Sequence, residues 1–393
     1  MANPRNAPPH RLLRWALIGG GEDSQIGLIH RMAAPLDRRF CLVAGALDKD
    51  PARGREFAQR LGIAPARAYD DWRALIAGER ARDDRPDLVT VATPNQTHYA
   101  ITKALLEAGF HVLCEKPLTM TAEQAHEIIK IAQDRERVCA VNYGYTGYPL
   151  VRQMRAMVTG GQLGDIRIIV PTFAGGFFAQ DQDNPRIRWR FDPSQAGNSA
   201  VTMDAGIHAL HLACFITDQD ITRVSADFFT GVGGRQLEDD AWIAFRMRTG
   251  CAGRLWTSGL AVGRTHGLGI EVYGSLGGLR WQQEQPNQLL WTPLGEPSRI
   301  LERGAGALSP AAQRASRVTV GHSEGMTLAF ANIYRDLAEV IAARHNNAAP
   351  DPLACDYPTA KQGGHSLAVI EAAIASAARE GAWVDVVDEA KDG

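Results

Sequence analysis

Three side chains in this sequence have the types that proton movement at a hydroxyl group needs: Lys116 in HVLCEKPLTM, and Asp204 and His208 in MDAGIHAL. An imidazole titrates near neutral pH and can carry a proton in either direction, so His208 is the candidate general base. Asp204 lies four residues earlier. If the stretch is helical, it shares the face of His208 and can orient or charge-stabilise the ring. The Lys116 ammonium can stabilise a developing alkoxide. Pro117 restricts Lys116 to extended backbone and permits a cis bond, which would set the direction of the lysine. Plain structural readings fit the same residues: a buried histidine capped by an aspartate, and a surface lysine at a strand end.

Other histidines widen the choice. His266 in GRTHGLG and His322 in VGHSEGM stand beside glycines in loops, outside apolar periodic runs, which favours a pocket over the core while leaving solvated loops open. Asp204, His208, His211 and Cys214 together invite a metal reading, because two histidines at HxxH spacing on a helix can chelate. No second cluster has metal-site spacing, so no metal is expected.

The elements that must position these groups follow from the texture of the chain. From residue 14 to 141, short apolar runs alternate with helix-patterned stretches: WALIGG, GLIHRMAAPL, CLVAGALD, ARGREFAQRLG, LVTVAT, HYAITKALLEAG, HVLCEK, AEQAHEIIKIAQD and VCAVNY. That alternation implies a parallel sheet covered on both faces. Gly19, Gly21 and Gly27 follow the first strand and open a helix, and Asp48 ends the next strand. This is the context of a dinucleotide fold: glycines admit a pyrophosphate to the backbone, a helix N-terminus favours its charge, and an acid holds a ribose diol. Five residues separate Gly21 from Gly27, against two in G-x-G-x-x-G, and a ligand-free turn fits the glycines too. Ser24 can cap the helix, and Glu22 and Asp23 are expected to face solvent, away from a phosphate. Asp48 would repel a 2′-phosphate, which favours NAD; Lys49 and Arg53 follow it and keep NADP possible.

From Ile166 onward the runs become strand-like (IRIIVPTFAG, RVSADFFTG, DAWIAFRM, CAGRLWTSG, GIEVYG), with one early helix, AGIHALHLACFI. A mostly antiparallel second domain follows. The expected division is residues 1–148 and 149–393. Within the second part, RGAGALSPAAQRAS reads as a loop that can act as a lid, before the helix patterns TLAFANIYRDLAEVIAAR and SLAVIEAAIASAARE.

Composition excludes several functions. A net charge of −2 from 42 basic and 44 acidic residues gives no footprint for nucleic acid or an anionic membrane. Six dispersed cysteines without a CxxC pair read as reduced thiols of a cytoplasmic protein. The tail MANPRNAPPHRLLR has no apolar signal core, and no run approaches a membrane span.

GGGEDSQIGLIHRMA, VATPNQTHYA, HVLCEKPLTM and MDAGIHAL together resemble the Gfo/Idh/MocA family of NAD(P)-dependent sugar and polyol oxidoreductases. The likeness runs from Arg14 to the closing VIEAAIASAAREGAWVDV, and the glycine loop is similar to a subgroup with the pattern GGG-x-x-S/G-x-I-G-x-x-H-R. The resemblance implies an N-terminal Rossmann domain and a C-terminal α/β domain with a large, mostly antiparallel open sheet that forms a homodimer or homotetramer. It implies a cofactor held by Gly19, Gly21, Ser24, Ile26, Gly27, Asp48, Thr93, Asn95, His98, Glu115, Lys116, Asn142, Trp189 and Arg190. It implies a sugar or polyol met by Lys116, Tyr145, Arg190, His208, His266 and His322, with Lys116, Asp204 and His208 as the catalytic groups. For several of these a packing role remains open: Thr93 and Asn95 as a strand-to-helix turn, His98 as filling for a helix start, and Tyr145 as aromatic packing. Gly197-Asn198-Ser199 stands where the family pattern has a glycine triplet, which leaves the pocket shape open. The implied activity is oxidation of a secondary hydroxyl of a sugar, glycoside or cyclitol by hydride transfer to nicotinamide. Two alternatives keep the fold: a cofactor-binding sensor without turnover, and an enzyme whose tightly held cofactor runs an internal redox cycle.

Overall fold

The computed structural model describes residues 11–180 and 185–387. The chain forms two compact units. The first contains β1 (Leu13–Gly19), α1 (Gln25–Ala33), β2 (Phe40–Ala46), α2 (Pro51–Arg60), α3 (Trp72–Glu79), β3 (Leu88–Ala92), α4 (His98–Glu107), β4 (His111–Cys114), α5 (Ala122–Asp134) and β5 (Cys139–Val141). Its five strands are parallel in the order β2-β1-β3-β4-β5. Every residue of β3 and β4 is buried, as expected for strands covered on both faces. The chain leaves β1 for β2 on one side and later returns to β3 on the other, so the carboxyl ends of β1 and β3 flank the point where strand order reverses. Open parallel sheets bind ligands at such a point.

The second unit is built on α6 (Pro149–Thr159), β6 (Ile166–Ala174), α7 (Pro185–Arg188), α8 (Pro193–Ala196), α9 (Ile207–Thr217), β7 (Ile221–Phe229), β8 (Asp240–Met247), β9 (Ala252–Ser258), β10 (Leu268–Gly274), β11 (Gly277–Gln282), β12 (Gln288–Pro293), β13 (Arg299–Glu302) and α10 (Pro310–Ala315). The chain continues through α11 (Met326–His345), α12 (Ala360–Ala377) and β14 (Val384–Asp385). Nine strands form one sheet, antiparallel except where β6 lies parallel to β9. Strand β8 alternates strictly: Ala241, Ile243, Phe245 and Met247 are buried, while Trp242 is 52% exposed and stacks on Trp256 with ring centroids 5.3 Å apart. One face of the sheet is therefore core, and the other carries aromatic surface.

Two expectations are corrected. A single division after residue 148 is too simple, because Met326–Lys361 returns to the first unit. Helix α11 is the reason: Phe330, Ile333, Tyr334, Leu337 and Ile341 are buried in one cluster with Trp15, Leu17 and Phe40. Helical periodicity shows an apolar face but not the partner that covers it. The stretch RGAGALSPAAQRAS is not a free loop. Ser309 caps α10 by accepting from Ala312 N–H, and the Ser309 N–H donates to Gln153 Oε1 at 2.6 Å. Buried Arg303 donates to the carbonyls of Val318 at 2.6 Å and Thr319 at 3.0 Å and pairs with Glu324 at 3.0 Å, fastening the following segment.

Among the described residues, none of the six cysteines forms a disulfide. No described helix is long and apolar enough to cross a membrane.

Candidate active site

The first unit presents a bare backbone turn. Gly19 ends β1 beside Ala92 of β3, and Gly19 and Gly20 take φ of 73° and 61°. A Cβ on Gly19 would sit 2.4 Å from the Ala92 carbonyl oxygen, and one on Gly21 would sit 2.6 Å from that of Leu47. A Cβ on Gly27 would lie 2.4 Å from Gly20 Cα. Only glycine fits at these approaches. Ser24 caps α1, its Oγ accepting from Gly27 N–H at 3.0 Å, and Ile26 packs on the core. The loop's carboxylates point outward as expected, and α2 explains how they are held: Asp23 pairs with Arg53 at 2.8 Å and Glu22 with Arg60 at 2.5 Å. Asp48 accepts from Asp50 N–H at 2.9 Å, and its second oxygen lies 3.8 Å from Arg53. Lys49 is exposed.

Arg31, which sequence reasoning did not single out, braces the turn. Its guanidinium donates to the carbonyls of Gly20 and Gly21, the latter at 3.0 Å, and stacks over Phe57 at 4.8 Å. Burial pushes its pKa down.

At the ends of β3 and β4 the unit is held by buried polar groups. Thr97 donates to Thr93 at 2.7 Å, and Asn95 begins the short helical turn Asn95–Thr97. His98 is fully buried, with Nδ1 2.6 Å from the Pro117 carbonyl and Nε2 2.8 Å from that of Thr93, so it fastens the β3 loop to the β4 loop. Burial lowers its pKa against the opposing pull of those carbonyls. The Lys116–Pro117 bond is cis, and Lys116 is partly exposed. Glu115 is 7% exposed; its Oε1 accepts from His30 Nε2 at 2.9 Å and Asn142 Nδ2 at 2.5 Å, and its Oε2 accepts from Lys116 N–H at 3.2 Å. Burial alone would raise the Glu115 pKa; the hydrogen bond and charge of His30, the Asn142 amide and the Lys116 charge hold it below the usual carboxylate value. Tyr145 is buried in the turn Gly144–Gly147.

The second unit gathers a different set. Residues Thr202–Gly206 wind as a π-turn ahead of α9, so the Asp204–His208 interval combines part of a π-turn with the first residues of an α-helix. The wider turn is anchored by Glu238, buried, whose Oε1 accepts from Ser199 Oγ–H at 2.7 Å and from the N–H groups of Ala200 and Thr202, each at 3.0 Å. The serine of Gly197-Asn198-Ser199 thus serves as an anchor, which glycine cannot do. Asp204 accepts from Arg190 Nε at 2.8 Å, and Arg190 stacks over Trp189 at 4.7 Å. Phe173 lies against both His208 and His266, with centroid separations of 5.9 Å and 4.6 Å. Glu284 accepts from the N–H groups of His266 at 3.1 Å and Gly267 at 2.5 Å, and burial pushes the His266 pKa down. His322 is exposed, with Nδ1 3.2 Å from Thr319 Oγ1, apart from the Phe173 cluster's ring contacts. Among the described residues, no three His, Cys, Asp or Glu side chains are grouped so as to hold a metal ion.

The first unit fits a dinucleotide. Its glycine turn has no room for side chains, an acid stands at the rim, and Asn142 Oδ1 is a buried acceptor with no hydrogen-bond partner among the described residues. A Rossmann unit of this kind, followed by a unit with a large mixed sheet, an Arg190–Asp204 pair in the turns before α9, and two histidines against Phe173, is the architecture of a dinucleotide-dependent oxidoreductase. Comparison with known proteins agrees. Residues 13–143 match the family model described as "Oxidoreductase family, NAD-binding Rossmann fold", and residues 151–280 match the GFO/IDH/MocA C-terminal domain. The chain belongs to the Gfo/Idh/MocA oxidoreductase family. It is 37% identical to the uncharacterised oxidoreductase YfiI of Bacillus subtilis (strain 168), over 95% of this chain and 96% of that one. It is 25% identical to levoglucosan dehydrogenase of Pseudarthrobacter phenanthrenivorans, over 95% and 98%. An inositol dehydrogenase homologue from Azotobacter vinelandii, solved with NAD+, superposes with a TM-score of 0.92 at 42% identity, covering 98% of this chain and 100% of that one.

Proposed function

We propose that this protein is an NAD-dependent dehydrogenase that oxidises a secondary ring hydroxyl of a sugar, glycoside or cyclitol. The observation that carries the reading is the glycine turn of Gly19–Gly27 with Asp48 at its rim, in the same unit as Glu115-Lys116. The substrate class draws support from relatives: the Azotobacter vinelandii homologue has also been solved with NADH and myo-inositol, at 41% identity, and a second relative is a levoglucosan dehydrogenase.

When bound, NAD supplies the hydride acceptor. The N–H groups of the turn and of the α1 N-terminus hold its pyrophosphate, and Asp48 accepts from ribose hydroxyls while disfavouring a 2′-phosphate. Arg53 lies 3.8 Å from Asp48 and is engaged by Asp23 at 2.8 Å, which supports NAD over NADP. Thr93, Asn95, Glu115 and Asn142 line or support the dinucleotide side. In the second unit, His208 takes the hydroxyl proton on a ring nitrogen while Asp204, held by Arg190, stabilises the resulting imidazolium. The Lys116 ammonium stabilises the developing alkoxide. Arg190 and His266 offer hydrogen bonds to further hydroxyls, and Trp189 supports Arg190 through its stacked ring. Tyr145 and His322 offer further hydrogen bonds to substrate hydroxyls. The aromatic face around Trp242 and Trp256 is the surface through which two or four copies associate, and the cytoplasm is the compartment that fits reduced thiols and NAD.

The test is NADH absorbance on mixing the purified protein with NAD and a panel of cyclitols, monosaccharides and glycosides, beside His208→Ala. Turnover that collapses in the variant supports the reading. Binding of NAD with no turnover on any ring polyol points instead to a cofactor-binding sensor.

A further inference from the structure

A continuous buried polar chain crosses the first unit, and the reaction as outlined does not explain it. Trp15 Nε1 donates to Thr90 Oγ1 at 2.9 Å; Thr90 Oγ1 lies 2.9 Å from the Tyr334 hydroxyl; that hydroxyl lies 2.8 Å from His30 Nδ1. From His30 the chain passes to Glu115 and on to Asn142. Six separate segments contribute to it, and His30, Thr90, Tyr334 and Asn142 are each 2% exposed or less. Burying a carboxylate and an imidazole costs more than apolar packing of the same volume, so such a network is retained where it sets geometry.

Its geometry converges on Glu115. One carboxylate oxygen is taken by His30 and Asn142, and the other by the backbone N–H of Lys116. His30 is the member that reaches the carboxylate from α1, and the Tyr334 hydroxyl holds His30. We propose that His30 is a positioning residue: by donating from Nε2 to Glu115 it keeps that carboxylate ionised and oriented, so that Glu115 holds the Asn142 amide and the start of the Lys116 segment in the geometry that NAD binding uses. The inference rests on the functional reading above. An ionised Glu115 accepts three N–H donors; a protonated one must turn a hydroxyl toward one of them, which breaks the arrangement. The titratable groups facing Glu115 are His30 on α1, Lys116 and Cys114 in its own segment, His98 on α4 and Tyr334 on α11. Of these, His30 makes the largest contribution that favours the ionised form.

Two variants separate positioning from mere packing. In His30→Asn the amide replaces Nδ1 and cannot reach Glu115; in His30→Gln the longer amide can still donate to it. The Glu115 carboxyl carbon resonance, assigned by its loss in Glu115→Gln, is followed against pH in cofactor-free protein, and the NADH Kd is measured by fluorescence over the same range. The expected result is a raised Glu115 midpoint in His30→Asn and an NADH Kd that weakens below it by up to about tenfold per pH unit, the limit for one proton. Wild type holds its Kd across that range, and His30→Gln lies close to wild type. A purely packing role lowers the melting temperature of His30→Asn while its Kd stays parallel to wild type at every pH, and that outcome overturns the inference. If His30→Asn does not fold, Glu115→Gln decides: its amide must turn a donor toward one of the three N–H groups, so NADH binding is weak at every pH, and a Kd equal to that of wild type overturns the proposal. Wild type that binds no NADH at any pH overturns the functional reading and the inference with it; a failure of the inference alone leaves wild type binding normally.

Discussion

Substituting Gly27 with alanine places a methyl group where the structure has no space for one. The new Cβ would lie 2.4 Å from both Cα and the carbonyl oxygen of Gly20. Reaching ordinary contact near 3.4 Å requires the first turn of α1 and the Gly20 backbone to separate by about 1 Å. Neither neighbour is a flexible side-chain tip, so the strain falls on the turn itself and costs about 1–3 kcal/mol of stability. The larger effect concerns ligand. A shift of about 1 Å breaks at least one backbone N–H contact to a pyrophosphate oxygen, a charge-assisted bond worth about 1.5–3 kcal/mol, which is roughly 10- to 150-fold in Kd. NADH fluorescence titration reads the affinity, and thermal unfolding shows that the variant is folded. Gly325→Ala is the control, since nothing lies within 4 Å of its added Cβ. A folded Gly27→Ala protein that binds NADH within about twofold of wild type would refute the assignment of this turn as the pyrophosphate cradle.

Three further outcomes follow from the same structure. Replacing Asp48 with serine while replacing Asp23 with asparagine removes the acid that repels a 2′-phosphate and releases Arg53 from its 2.8 Å pair; the NADP-to-NAD ratio of kcat/KM rises by roughly tenfold or more, and an unchanged ratio would contradict the role of Asp48. His111 and His211 are pushed by burial down to about 3, below the roughly 6.5 of an unfolded histidine, so the unfolded chain binds more protons at acid pH. Stability is present above about pH 6.5 and is lost as pH falls toward 3, with a limiting slope of about 1.4 kcal/mol per pH unit for each histidine; urea midpoints measured from pH 7 to 5 test this, and a slope that is the same in His111→Asn would contradict it. Trp242→Glu puts a charge on the exposed aromatic face of the second sheet, where Trp242 is 52% exposed; sedimentation is expected to show a smaller assembly of folded chains, and an unchanged assembly would exclude that face as the contact.

Much of the scaffold was legible because its signals are local. Alternating apolar and helical runs give the parallel sheet, and the turn residues at Gly19–Gly27 with Ser24 as cap give the start of α1 to within a residue. What escaped depends on distant partners. His30 meets Tyr334 across 304 residues of sequence, and nothing near either residue predicts the other. The same holds for α11, whose apolar face was readable but whose return to the first unit was not. Arg31 and Glu238 look like ordinary surface charges in sequence, yet one braces the glycine turn and the other, buried, anchors the turn before α9. The π-turn at Thr202–Gly206 carries no residue pattern that distinguishes it from an α-helix, so the sequence alone does not show the wider turn between Asp204 and His208. Strands β11 to β14 are short, and β11 and β12 carry Gly, Gln or Pro at their ends, so period-two alternation hardly registers in them.

In the proposed reaction, hydride passes from a ring carbon of a polyol to NAD while His208 takes the hydroxyl proton. The most direct measurement is a single turnover with a cyclitol deuterated at its ring carbons, followed by mass spectrometry of the recovered dinucleotide. The expected result is a reduced cofactor carrying one deuterium from the wild-type protein, and none from a folded His208→Ala protein that still binds NAD. Wild-type protein that binds both NAD and the cyclitol yet returns unlabelled, unreduced cofactor would contradict it.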